Sequence, residues 1–343
     1  MNHHNDNKQA STQPLLEVSG LGITLDTHRG PAQAVRDVGF TLARGEALGL
    51  IGESGSGKSI TAMALMGLLP ESARTQGSVR FDGQELLGLS DQQMCSLRGH
   101  RMAMVFQEPM TALNPVHTIG NQVAEPLRLH QKLSAKQARE GALALLDRVG
   151  IPQAAQRFDA YPHQFSGGQR QRITIAMALA CNPDLLIADE PTTALDVTVQ
   201  QQILDLIADL VDERRMSLIL ISHDLGVISQ NVDRMLVMYG GTVVESGTTE
   251  QVFDHMAHPY TRGLLAARPR MAELGLHRAR LQTIRGTVPE LVDLPKGCPF
   301  AGRCEFTIDA CSQQKPDAQI IEAGHEVRCI RAEAIDAVNG VSA

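Results

Sequence analysis

Residues Gly52 to Ser59 read GESGSGKS, and this octapeptide decides the fold. It fits the spacing G-x-x-x-x-G-K-[S/T] of a phosphate-binding loop. An apolar strand, LGLI (Leu48 to Ile51), precedes it, and a helical run, ITAMALMGLL, begins at Ile60. Gly52, Gly55 and Gly57 let the backbone wrap around phosphate without Cβ clashes. Successive N–H groups then point inward, and the helix N-terminus adds partial positive charge. Lys58 brings a full charge to the β- and γ-phosphates, and Ser59 Oγ is a ligand for Mg²⁺. The candidate ATP-binding stretch is therefore Gly52, Glu53, Ser54, Gly55, Ser56, Gly57, Lys58, Ser59 and Ile60. A phosphate loop alone says only that a nucleoside triphosphate binds.

Further along, LLIADEP (Leu185 to Pro191) ends an apolar run on two acids. The carboxyl end of a buried strand is where ligands gather in a parallel sheet. A pair of helix N-cap acids would look the same in isolation. Paired with the phosphate loop, Asp189 suits Mg²⁺ and Glu190 suits a general base that polarises the attacking water. His223, in ILISHD after a further apolar strand, is placed to donate to the γ-phosphate and sense its loss. A lone histidine at a strand end is more often structural, and its position after the carboxylate strand is what favours a catalytic role.

FSGGQRQR (Phe165 to Arg172) precedes a second helical run, ITIAMALA. A hydroxyl, bare backbone N–H groups and a helix dipole make a second anion site at Ser166, Gly167 and Gly168. Two anion sites for one nucleotide imply that the second serves a nucleotide held by another subunit. Here the sequence resembles the ABC ATPase family, over about Leu15 to Gly247 and with the motifs in family order. Phe165 stands where the family's LSGGQ signature has leucine, so Ser166, Gly167, Gly168 and Gln169 are the implied trans contacts. The resemblance also implies roles for three other places. Gln107 in VFQEP is similar to the glutamine that touches Mg²⁺ and relays to the membrane partner. Ala194-Leu195-Asp196 is similar to the D-loop, and His223 to the switch histidine. In the family an aromatic residue upstream of Lys58 stacks on adenine. Here LDTHRGPAQA (Leu25 to Ala34) offers only His28 or Arg29.

Toward the C-terminus, HPYTRGLL (His258 to Leu265) and GCPFAGRC (Gly297 to Cys304) resemble the ATPases of dipeptide, oligopeptide and nickel importers, as does FQEPMTALNP (Phe106 to Pro115). In some members four such cysteines ligate a [4Fe–4S] cluster. Cys298, Cys304, Cys311 and Cys329 are the candidates, separated by five, six and seventeen residues. A cluster, tetrahedral zinc and reduced unliganded thiols all stay open, although the gaps exceed the C-x₂-C of common zinc ribbons. His258, Pro259 and Tyr260 suggest a packing motif at a helix start, and Cys95 and Cys181 ordinary packing or surface positions.

Composition bounds the alternatives. Trp is absent, only three Tyr occur, and the formal net charge is −7, so base stacking and a basic footprint for nucleic acid are both lacking. No apolar run is long enough to cross a bilayer. The opening MNHHNDNKQASTQP lacks a signal-peptide core, so a disordered start (1–14) and a cytoplasmic location are expected. The resemblance then implies a peripheral protein on the cytoplasmic face of the inner membrane. Its partners would be two transmembrane permease subunits, a second related ATPase subunit (a heterodimer, or else a homodimer) and, indirectly, an extracytoplasmic solute-binding protein. The rivals are a non-transport ABC ATPase acting on nucleic acid or ribosomes, which usually has two ATPase units or long coiled coils, and an exporter ATPase, which only the tail argues against. The expected fold is α/β: a P-loop NTPase core of mostly parallel sheet with flanking helices. An antiparallel β subdomain, a helical subdomain (about 115–165) and a cysteine-containing extension (248–343) complete it, the ATPase unit itself being 15–247.

Overall fold

The structure is a computed structural model that describes residues 13–193, 195–267 and 283–334. Most of the expected disordered start, Ala194 of the D-loop and two stretches of the extension lie outside the described residues.

The chain opens with an antiparallel sheet. Strands β1 (Leu16–Thr27) and β2 (Gly30–Leu42) form a hairpin, and β3 (Ala47–Ile51) leads into the phosphate loop and helix α1 (Lys58–Leu65). Helix α1 is shorter than the apolar run ITAMALMGLL. Gly67 takes a left-handed φ of 61° and its neighbour Leu68 bonds back to Met63, a glycine-terminated helix end. Strands β4 (Arg74–Phe81) and β5 (Gln84–Glu85) join through Asp82-Gly83, both at positive φ, which is the two-residue turn that Asp-Gly favours. The sheet order is β2-β1-β4-β5.

Helix α2 (Asp91–Leu97) and strand β6 (Met102–Val105) follow. The helical segment comprises α3 (Pro109–Ala112), α4 (Ile119–His130), α5 (Ala135–Arg148) and α6 (Ala154–Arg157). In α5, Ala138, Ala142 and Leu146 are buried and Leu145 packs beside them, as helical spacing requires. Helix α7 (Gly167–Ala178) carries the SGGQ motif at its start, and β7 (Leu185–Asp189), α8 (Val197–Arg214), β8 (Ser217–Ser222) and α9 (Leu225–Asn231) return to the core.

Strands β9 (Arg234–Tyr239) and β10 (Thr242–Thr248) form a further hairpin. Helices α10 (Thr249–His255), α11 (Pro259–Ala266) and α12 (Asp309–Gln313), with strands β11 (Gln319–Glu322) and β12 (His325–Val327), belong to the extension. The main sheet has the order β11-β12-β10-β9-β3-β8-β7-β6, and its five strands from β9 to β6 run parallel. The extension therefore adds two strands to the edge of the ATPase sheet. His325 and Glu245, both fully buried, pair at 2.9 Å across that junction.

LLIA and LILI are buried on both faces because the sheet lies between two cores. Leu185, Ile187, Ile219 and Ile221 face the cluster that includes the antiparallel sheet. Leu186, Ala188, Leu218 and Leu220 face the cluster shared with the helical segment and the extension. Strict alternation on a pleated strand produces this division.

Candidate ATP-binding and hydrolytic site

The candidate residues gather at the carboxyl ends of adjacent parallel strands. The phosphate loop follows β3, Asp189 ends β7, His223 follows β8 and Gln107 lies just past β6. This end of a parallel sheet is where α/β proteins bind ligands.

The loop needs its glycines. A Cβ on Gly52 would sit 2.2 Å from the Met238 carbonyl, and one on Gly57 would sit 2.9 Å from that of Ala34. Gly57, at φ 104°, is the N-cap of α1, so Lys58 is the first residue of that helix. Lys58 Nζ curls back to donate to the carbonyls of Gly52 (2.7 Å) and Glu53 (3.0 Å). Burial lowers its pKa, while Glu190, Asp189 and Glu53 act in the opposite sense. Ser59 Oγ donates to Asp189 Oδ1 at 3.0 Å, which brings hydroxyl and carboxylate to one point. Asp189 is 5% exposed, and burial raises its pKa. A cation beside such a group would favour its charged form.

Glu190 has φ 43°, a strained value for a non-glycine residue. Strain at such a residue follows when its surroundings fix it, and here they do. Its N–H bonds to the Ile221 carbonyl, and its Oε2 receives Thr193 Oγ1 at 3.0 Å and Gln107 Nε2 at 3.1 Å. His223 Nδ1 lies 3.3 Å from the same oxygen. That contact first of all holds the carboxyl below its ordinary range and raises the imidazole. Glu190 is thus held in its carboxylate form. Neither acid caps a helix: α8 starts only at Val197, capped by Asp196, whose carboxylate accepts from the Val199 N–H at 3.0 Å.

The SGGQ motif stands on a different element. Ser166 is the N-cap of α7 and pairs reciprocally with Gln169 in a capping box. A Cβ on Gly168 would approach Val199 of α8 to 2.7 Å, so glycine there lets two helix starts come together. Ser166 is exposed, Gly167 and Gly168 are half-buried, and Phe165 is buried beneath the Arg157 guanidinium. Of the two candidates for adenine stacking, Arg29 donates to Glu290 and Asp293 of the extension at 2.7–2.8 Å, while His28 is exposed in the β1–β2 turn.

The extension touches this site directly, which local motifs did not anticipate. His258 caps α11 by accepting from the Tyr260 N–H, the packing role expected of it. Tyr260 then reaches the phosphate loop, its hydroxyl accepting from the Glu53 N–H at 2.7 Å. Arg303 donates to both oxygens of Glu53 at 2.6 and 3.1 Å. HPY suggested only packing at a helix start, and nothing near Arg303 marked its partner.

Cys298, Cys304, Cys311 and Cys329 line one small cavity with Phe300, Phe306 and other apolar groups. Burial pushes the Cys298 thiol up to about 12. Among the described residues, no group of three His, Cys, Asp or Glu side chains is arranged to hold a single metal ion. Cys95 is exposed and Cys181 is buried.

Geometry and motif order define a nucleotide-hydrolysing cassette, and comparison with known proteins agrees. The ABC transporter family matches residues 35–193, and the oligopeptide/dipeptide transporter C-terminal region matches residues 244–311. A peptide import ATP-binding protein of Brucella abortus (strain 2308) is 52% identical over 93% of this chain and 95% of its own. Another, of Brucella melitensis, is 48% identical over 95% and 100%. A dimeric ATP-binding cassette in a post-hydrolysis state with ADP and phosphate superimposes with a TM-score of 0.61. It is 27% identical and covers 68% of this chain and 98% of its own. A component of an ABC transporter complex from Clostridium perfringens gives 0.59 at 26% identity, covering 71% and 92%. The chain belongs to the ABC transporter ATP-binding proteins, as an ATPase subunit of the peptide-import group.

Proposed function

We propose that two ATPase subunits close head to tail around two ATP molecules, each completing its neighbour's site. The observation that carries this reading is the separation of two anion-binding helix starts on one chain. Lys58 and the loop N–H groups form one; Ser166, Gly167, Gly168 and Gln169 form the other, open to solvent. Asp196 and the adjoining Val197, 81% exposed, supply the D-loop contact with the partner.

Within each site, Ser59, Asp189 and Gln107 would hold Mg²⁺, which would neutralise phosphate charge. Lys58 exchanges its two carbonyl partners for the β- and γ-phosphate oxygens. Glu190 takes a proton from the water whose oxygen attacks the γ-phosphorus, and the bond to the bridging oxygen breaks. His223 donates to the γ-phosphate and responds when it leaves. His28 is the remaining candidate beneath adenine, because Arg29 is engaged elsewhere.

The chain works on the cytoplasmic face of the inner membrane. Among the described residues no helix is long and apolar enough to cross a membrane, so transport requires partners. These are two permease subunits and a second related ATPase, fed by an extracytoplasmic solute-binding protein. Phe106, next to Gln107 in sequence, and Val116, at the entry to the helical segment, are exposed and are the apolar positions offered to a permease loop. Affinity purification of the full chain from detergent-solubilised membranes is expected to retain both permeases and a second ATPase in the presence of ATP. Retention of nucleic acid or ribosomes in their place would overturn the importer assembly.

Cys298, Cys304, Cys311 and Cys329 line one small cavity, and this supports the reading that their thiolates would hold a [4Fe–4S] cluster there. Bound there, it would tie together the segments that carry the four cysteines. Protein purified without oxygen is expected to contain iron and to absorb broadly in the visible, and Cys311→Ser to lose both. Colourless protein containing zinc would identify the tetrahedral alternative, and metal-free protein would leave reduced thiols.

A further inference from the structure

Glu53 is the second residue of the phosphate loop, and the C-terminal extension holds it at two points. Its backbone N–H donates to Tyr260 Oη, and its carboxylate takes two N–H groups of Arg303. Tyr260 is fully buried and packs edge-on against Tyr239 at 4.7 Å, so the hydroxyl is rigidly placed. The Arg303 side chain is 6% exposed, and its Nε is fixed on the Arg285 carbonyl at 2.9 Å. Both anchors are therefore built into the extension.

The charge involved is unfavourable for ATP. Glu53 puts a carboxylate in a loop that must receive a triphosphate, within electrostatic range of Lys58 Nζ. Lys58 already bonds to the Glu53 carbonyl at 3.0 Å. A freed Glu53 side chain would compete with phosphate for that ammonium and repel the incoming anion.

We propose that Arg303 is a positioning residue for ATP binding: it draws the Glu53 carboxylate away from Lys58 and, with Tyr260, holds the loop in its anion-receiving shape. The extension thereby sets the nucleotide affinity of the cassette to which it is joined. This rests on ATP binding at the phosphate loop.

A double-mutant cycle tests the idea on the full chain, with Kd for ATP measured on the free protein and KM and kcat on the assembled transporter. Arg303→Met is expected to weaken ATP binding about ten- to thirtyfold, as when one partner of a close charge pair is removed. KM should rise and kcat should stay within about threefold, because Glu190 is untouched. The Kd of Glu53→Gln is the reference for the cycle, and adding Glu53→Gln to Arg303→Met should bring the affinity close to that reference. Arg303→Lys, which keeps one ion pair, should fall between. A merely structural role for Arg303 would not be rescued by deleting the opposing charge. Unchanged affinity in folded Arg303→Met, or a double variant no better than it, overturns the proposal. Should Arg303→Met fail to fold, Arg303→Lys compared with and without Glu53→Gln decides by the same criterion. Absence of ATP binding in the wild type would refute the phosphate-loop reading itself.

Discussion

Glu190→Gln is expected to abolish turnover while leaving ATP bound. Loss of a positioned general base removes about 10²–10⁴-fold in rate. The amide keeps the shape of the carboxylate and can still accept from Thr193 Oγ1, which lies 3.0 Å from the native Oε2. What it cannot do is take a proton from water. His223 would lose the carboxylate contact that is the main cause of its raised pKa. Closed, ATP-loaded pairs should therefore accumulate. Phosphate release in a single turnover, read beside size-exclusion chromatography with ATP, gives both quantities. Unchanged turnover would remove Glu190 as the base, and failure to pair under blocked hydrolysis would remove the two-subunit site.

Lys58→Met should separate binding from stability. Hydrogen bonds to a charged group contribute about 1.5–3 kcal/mol each, so losing contacts to two phosphates should weaken ATP binding by about 10²-fold or more. The protein without nucleotide has less to lose. Lys58 is 4% exposed and burial lowers its pKa, so the folded state disfavours its charge. Methionine fills the same channel without that desolvation. The thermal midpoint of the nucleotide-free variant is expected to match or exceed that of the wild type, while ATP, which should raise the midpoint of the wild type, should leave the variant unmoved. A large drop in the midpoint would mean that the bonds to the Gly52 and Glu53 carbonyls hold the loop together.

Much of this was legible in the sequence because the relevant physics is local. Gly52 and Gly57 announce a backbone that a Cβ would obstruct, and LLIA and LILI announce strands covered on both faces. The Ser166–Gln169 capping box follows from residue types three apart. What stayed hidden depends on long-range closure. Arg303 and Glu53 are 250 positions apart, and Arg29 meets Asp293 across 264. Nothing in either neighbourhood encodes its partner. The strain at Glu190 was equally invisible, since φ there is imposed by Thr193, Gln107, His223 and the Ile221 carbonyl acting together. The extension was foreseen as an appendage. Its pairing of β12 with β10 was not, because three residues of HEV carry no alternating pattern long enough to announce a strand.

That pairing bears on how such proteins can be recombined. With β12 laid along β10 at Glu245 and Ser246, part of the cassette's outer edge is covered by its own tail, and the sheet ends on the short strand β11 instead. The buried His325–Glu245 contact adds a lock that a foreign cassette would have to match residue for residue. The natural unit of exchange in a chimaera is thus the cassette together with its tail, transferred as one piece, and not a tail grafted wherever a linker permits.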